Sequence, residues 1–217
     1  MKKHIQIDSL FLRFRDKDIL KGISFSMTKH EISGILGRNA SGKSCLLRVL
    51  IGHLNPQSKH FRVDNKFQKN LYKQNGLINY LPQHPFHPKS LKIKSLLKLY
   101  DIELPEFLYH YPFTEEMLTL KFGQLSGGQK RLLEVLFILE SATHFSILDE
   151  PFTYLMPKYV DLIKNRILKL KERKGFIITD HQYSHILELS DKLYLLKEGR
   201  IQEIAGKNEL RNLGYIP

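Results

Sequence analysis

The sequence specifies an α/β domain with a mostly parallel sheet covered on both faces. Apolar runs of strand length alternate with longer segments whose apolar residues recur at helical spacing, which is the signature of parallel strands joined by helices. A glycine-punctuated loop, Gly37 to Gly42, separates one such strand from one such helix. The chain has 217 residues, 42% apolar and 26% charged. That length supports one domain with a substantial core, and that balance excludes a disordered chain.

The elements follow in order. Ile5 and Ile7, then Leu10, Leu12 and Phe14, then Ile23, Phe25 and Met27 alternate with polar residues. They predict two or three short half-buried strands with a polar turn at Asp16 to Asp18. Glu31 to Leu36 is a buried strand. Lys43 to His53 carries Leu46, Leu47 and Leu50 at helical spacing, and Asn55-Pro56 ends that helix. Phe61 and Val63 among basic residues predict an outer strand, and Leu77 to Leu81 another. From Pro85 to Phe122 the chain reads as a small helical insertion broken by Pro88, Pro105 and Pro112. Beyond it come a long helix over Ser126 to Ser141, a strand at Phe145 to Leu148 and a helix over Tyr159 to Lys171. A strand at Phe176 to Thr179, a short helix at Ser184 to Leu189 and a hairpin turning at Glu198-Gly199 complete the chain.

Composition narrows the function. The single cysteine, Cys45, excludes an intrachain disulfide and a cysteine-built zinc site. No run of about 18 apolar residues is present, so no segment is expected to span a bilayer, and no signal peptide is visible. The charge of +12 (34 basic against 22 acidic residues) favours acidic partners such as nucleotides, nucleic acid or anionic headgroups.

Three motifs carry chemistry. Gly37-Arg38-Asn39-Ala40-Ser41-Gly42-Lys43-Ser44 fits the phosphate-loop pattern GxxxxGK[ST] in the strand–loop–helix context it requires. Its amide N–H groups and the helix N-terminus attract phosphate, Lys43 reaches the β- and γ-phosphates, and the Ser44 hydroxyl is a ligand for Mg²⁺. Phe145-Ser146-Ile147-Leu148-Asp149-Glu150 is an apolar strand ending in two acids. Asp149 is the metal-side carboxylate and Glu150 the group that polarises an attacking water. Leu125-Ser126-Gly127-Gly128-Gln129 opens the long helix, with Ser126 as N-cap and two glycines leaving the first turn bare to a phosphate. Cys45, just inside the phosphate loop, is a small packed residue, or else a thiol whose pKa the helix N-terminus lowers.

In this order the motifs resemble the ATP-binding cassette (ABC) ATPase family, over essentially the whole chain. The resemblance implies a P-loop NTPase core with a mostly parallel sheet, an N-terminal antiparallel β subdomain and a small helical subdomain. The core would span about residues 1–83 and 124–217, and the helical part about 84–123. It implies further roles: Phe14 as the adenine-stacking aromatic, Gln83 as a sensor of metal and water joining core to helical part, and His181 as the switch histidine at the γ-phosphate. Asp180 competes with His181, because many relatives place the acid after the histidine. Two copies are expected to pack head to tail around ATP and Mg²⁺, with Lys43 and Ser44 of one facing Ser126 to Gln129 of the other. The partner expected beyond that is a membrane-spanning permease subunit, which places the chain peripherally at the cytoplasmic face of the membrane with no nucleic acid. The alternative is a soluble ABC ATPase acting on DNA or ribosomes. Against it, no sustained heptads and no cysteines occur between Ser44 and Leu125 except Cys45. One position departs from the family pattern: Met156 stands where an aspartate is expected in the loop after Glu150-Pro151, and Tyr154 is bulky.

Overall fold

A computed structural model describes residues 3–216. Two sheets share the work. The N-terminal strands β1 (His4–Phe14) and β2 (Lys17–Thr28) form an antiparallel ribbon with β4 (Ser58–Val63) and β5 (Lys66–Gln68), in the order β2-β1-β4-β5. The predicted two or three short strands are thus two long ones. Register shifts in the ribbon, the first between Ile7 and Leu10, interrupt the alternation that sequence patterning relies on.

The second sheet contains β3 (Ile32–Leu36), β6 (Ile78–Leu81), β7 (Phe145–Asp149), β8 (Gly175–Thr179), β9 (Lys192–Lys197) and β10 (Arg200–Ile204), in the order β10-β9-β3-β8-β7-β6. All its pairings are parallel except the β9–β10 hairpin. Every residue of β3, β7 and β8 is buried, because helices and the ribbon cover both faces. Helix α1 (Lys43–Leu50) sets Leu46, Leu47, Val49 and Leu50 into a core shared with Ile5, Ile7 and Ile23 of the ribbon. Helix α4 (Gly127–Glu140) is buried continuously from Arg131 to Leu139, and α5 (Pro157–Leu170) packs against it.

Between β6 and α4 lie α2 (Ile93–Leu99), α3 (Leu104–His110) and two short 3₁₀ segments, Pro112–Met117 and Phe122–Gln124. Ile93, Leu96 and Leu97 of α2 face the core, and Leu99 is exposed. Helix α6 (Tyr183–Leu189) follows β8, and α7 (Lys207–Asn212) lies near the C-terminus. Neither β5 nor α7 is evident in the sequence. The first has three residues with Phe67 exposed, and the second buries only Leu210, so neither carries a periodic signal.

Lys174 caps the far end of α4. Its ammonium group donates to the carbonyls of Leu139 (2.9 Å) and Ser141 (2.8 Å), groups that helix geometry leaves without partners. Burial pulls its pKa down to about 8.

Candidate functional site

The phosphate loop leaves β3 and turns directly into α1. Its curl is tight: a Cβ on Gly37 would come within 2.5 Å of Ser41 Oγ and 2.6 Å of the Leu196 carbonyl. Gly42 turns at φ 105°, a conformation that glycine adopts without a steric penalty. Lys43 folds back along the loop, donating to the carbonyls of Gly37 (2.6 Å) and Arg38 (3.2 Å). It is 8% exposed, and burial lowers its pKa while the carboxylates of Glu150, Asp149 and Asp180 oppose that shift. Ser41 Oγ is buried without a protein partner.

The C-terminal segment ties onto the same loop. The Gly37 N–H donates to the Tyr215 hydroxyl (3.2 Å) and the Arg38 guanidinium to the Gly214 carbonyl (3.2 Å). An open cleft of about 480 Å³ runs beside them, lined by Lys17, Ile19, Arg38, Asn39, Lys197 and Tyr215 among others. Phe14, the expected base-stacking residue, is 44% exposed at the end of β1 and is not among the residues lining this cleft. It is paired in register with Lys17, which is.

The two acids end β7. Asp149 is 1% exposed and accepts from Thr179 Oγ1 (2.8 Å) and the Tyr80 hydroxyl (3.3 Å). Glu150 takes a left-handed backbone, φ 52°, while its N–H donates to the Thr179 carbonyl (2.9 Å). Its carboxylate is gripped on both oxygens. Gln83 Nε2 donates to Oε2 (2.8 Å), and His181 Nδ1 lies 3.0 Å from Oε1. Three sequence-predicted residues, beyond the C-terminal ends of β6, β7 and β8, therefore meet at one carboxylate. That is the end of a parallel sheet where ligands bind.

Asp180 points elsewhere. It is 2% exposed, Oδ1 accepts from the Gln182 N–H (2.8 Å), and Oδ2 has no partner. Burial raises its pKa, so the folded chain takes up a proton here more readily than the unfolded chain. Its contribution to stability therefore worsens as pH rises through the folded value. Asp180→Asn keeps the acceptor for Gln182 and removes the charge. It is expected to raise the melting temperature at pH 7, with the gain shrinking towards about pH 4. Thermal melts across that range check it.

Ser126 caps α4 through a reciprocal pair. The Gln129 N–H donates to Ser126 Oγ (3.3 Å) and the Ser126 N–H to Gln129 Oε1 (2.9 Å). Ser126 and Gly127 are exposed, and a Cβ on Gly127 would meet nothing within 4 Å. Gly128 is pressed by the loop after Glu150, where a Cβ would lie 3.2 Å from the Tyr154 carbonyl. Tyr154 and Met156 are exposed, and Met156 takes the N-cap position of α5 with no side-chain cap. Met156→Asp is expected to supply that cap, worth about 0.5–2 kcal/mol, and to raise the melting temperature by roughly 2–4 °C per kcal/mol.

The packing of Cys45 supports its reading as a small packed residue. It lies partly buried against the ribbon core, and burial pushes its thiol pKa up, against the lowering a helix N-terminus would give. The sequence reading missed Arg131, Tyr80 and Thr179, each of which contacts the acids or their backbone. Arg131 sits within the buried, largely apolar stretch of α4 that also holds Glu134, where a charge among apolar residues is the available signal.

The fold and this constellation define a P-loop nucleotide-binding protein. The family model described as ABC transporter matches residues 20–153, and the chain belongs to that family. It is 28% identical to an uncharacterised ABC transporter ATP-binding protein of Methanocaldococcus jannaschii, over 100% of this chain and 83% of that one. It is 30% identical to the tungstate uptake system ATP-binding protein TupC of Campylobacter jejuni, over 97% of this chain and 67% of that one. A solved nucleotide-free ATP-binding cassette from an ABC transporter shares the fold, with a TM-score of 0.80, 24% identity, and 99% and 96% of the two chains covered. No helix among the described residues is long and apolar enough to cross a membrane.

Proposed function

We propose that the chain is the ATP-hydrolysing subunit of an ABC transporter, paired head to tail with a second ABC subunit, its own copy, around two ATP molecules. The observation that carries this reading is the Glu150 carboxylate. It is held by Gln83 and His181, close enough to the Lys43 loop to oppose the burial shift of Lys43. The capped start of α4, meanwhile, stays open on the surface.

The loop amides from Gly37 to Ser44 and the Lys43 ammonium bind the β- and γ-phosphates. Phe14 stacks on the base, and Cys45 contributes its N–H at the start of α1. Ser126, Gly127, Gly128 and Gln129 of the second copy close over the γ-phosphate. Glu150 accepts the proton of the attacking water, and His181 and Gln83 hold that carboxylate in place. Lys43 and the opposing helix start stabilise charge on the transferred group. Ser44, Asp149 and the Gln83 amide oxygen would hold Mg²⁺. Gln83 spends its N–H on Glu150, so an all-oxygen set with one buried carboxylate remains. This suits a hard cation completed by phosphate oxygens and water. Bound there, Mg²⁺ would neutralise phosphate charge.

Coupling to a separate membrane-spanning subunit places the chain at the cytoplasmic face of the membrane. Affinity purification from detergent-solubilised membranes tests this. Recovery with a multi-span protein that stimulates ATP hydrolysis is the expected result. Recovery with ribosomes or DNA and no membrane protein would overturn the coupling and favour the soluble alternative.

A further inference from the structure

Helix α4 reaches the hydrolytic centre of its own chain at two points beyond its exposed start. Arg131 is 1% exposed, and its guanidinium donates to three backbone carbonyls: Pro82 (2.7 Å), Asp149 (2.9 Å) and Glu150 (2.8 Å). Three residues on, Glu134 is fully buried. It accepts from the Phe86 N–H (2.9 Å) and meets His87 Nδ1 (3.1 Å), whose Nε2 lies 2.9 Å from the Tyr100 hydroxyl. The loop bearing Gln83 is thereby bracketed. The residue before it is fastened by Arg131, and the residues three and four after it by Glu134.

Plain helix packing does not call for this. An apolar side chain would fill the place of Arg131 without the desolvation cost of a buried guanidinium. What only the guanidinium supplies is a simultaneous hold on two separate loops through charge-assisted bonds.

We infer that Arg131, seconded by Glu134, makes α4 a rigid link between the two ATP sites of the pair. The helix whose start receives the ATP held by the second copy also sets the backbone of Glu150, which acts on the ATP of its own chain. Arg131 is a positioning residue and touches no substrate. Roughly 7.5 Å of continuous helix separates it from Ser126, so a shift of the start is delivered to Glu150 and Pro82 within one and a half turns. The inference rests on the head-to-tail reading. It also supplies a route between sites where Met156 has replaced the acid that the resemblance expects.

The test uses the full chain with Arg131→Gln and Arg131→Lys. ATP affinity is read with a fluorescent ATP analogue, and hydrolysis as a function of ATP concentration. For Arg131→Gln, affinity is expected within about threefold of wild type, kcat at least about tenfold lower, and the Hill coefficient reduced to about 1. Arg131→Lys should restore part of both kinetic values. A lower kcat with the wild-type Hill coefficient, or unchanged kinetics, would overturn the inference and leave the head-to-tail reading standing. A wild-type chain that hydrolyses ATP as a non-cooperative monomer would overturn that reading and the inference together.

Should Arg131 variants not fold, hydrogen exchange on the Glu150→Gln chain answers the same question with Arg131 intact. ATP is expected to slow exchange over residues 80–87 and 148–152 when Ser126 is native. With Ser126→Arg added, ATP should protect only residues 37–44. Equal protection of residues 80–87 with and without Ser126 would sink the inference.

Discussion

Glu150→Gln is expected to bind ATP as the wild type does and to hydrolyse it at least about 100-fold more slowly, the range set by loss of a general base. The substitution is nearly isosteric. Glutamine can still be reached by Gln83 Nε2, now 2.8 Å from Oε2, and by His181, now 3.0 Å from Oε1. It removes the capacity to take a proton from water, together with the negative charge that opposes the burial shift of Lys43. With ATP bound and not consumed, the two copies should stay closed around it. An ATP-dependent shift to a dimer on size-exclusion chromatography, absent with ADP, is the accompanying readout. Turnover at the wild-type rate would exclude Glu150 as the base.

Lys43→Ala is expected to lose both properties. Lys43 holds the carbonyls of Gly37 and Arg38, so its ammonium group shapes the loop as well as meeting phosphate. Charge-assisted bonds of this kind are worth about 1.5–3 kcal/mol each, so ATP affinity should fall roughly 10–100-fold and hydrolysis should vanish. Titration with a fluorescent ATP analogue measures the first and phosphate release the second. Wild-type affinity would refute the assignment of residues 37–44 to phosphate. Together the two variants separate binding from chemistry: one breaks the cradle, the other the proton transfer.

The parallel sheet and its phosphate loop were legible because local signals agreed. Buried strands of five residues such as β3 and β7 leave short, mainly apolar runs with a single small serine in each, and the glycines of residues 37–42 mark the turn between strand and helix. The meeting of Gln83, Glu150 and His181 was legible only through the family resemblance. Nothing in the local sequence around Gln83 or His181 shows that they reach the same carboxylate across β6, β7 and β8. Arg131 escaped because its contacts are all to backbone carbonyls, which have no residue-specific signal. Phe14 shows the opposite case, a residue assigned by motif position that stands 44% exposed at the end of β1, outside the lining of the cleft.

The bond from the Gly37 amide to the Tyr215 hydroxyl has a practical side. Fusion partners and purification handles joined behind Tyr215 would tug on the first residue of the nucleotide cradle. Biochemistry on this protein is therefore better served by a handle at the other terminus, where β1 begins at the ribbon and not at the nucleotide.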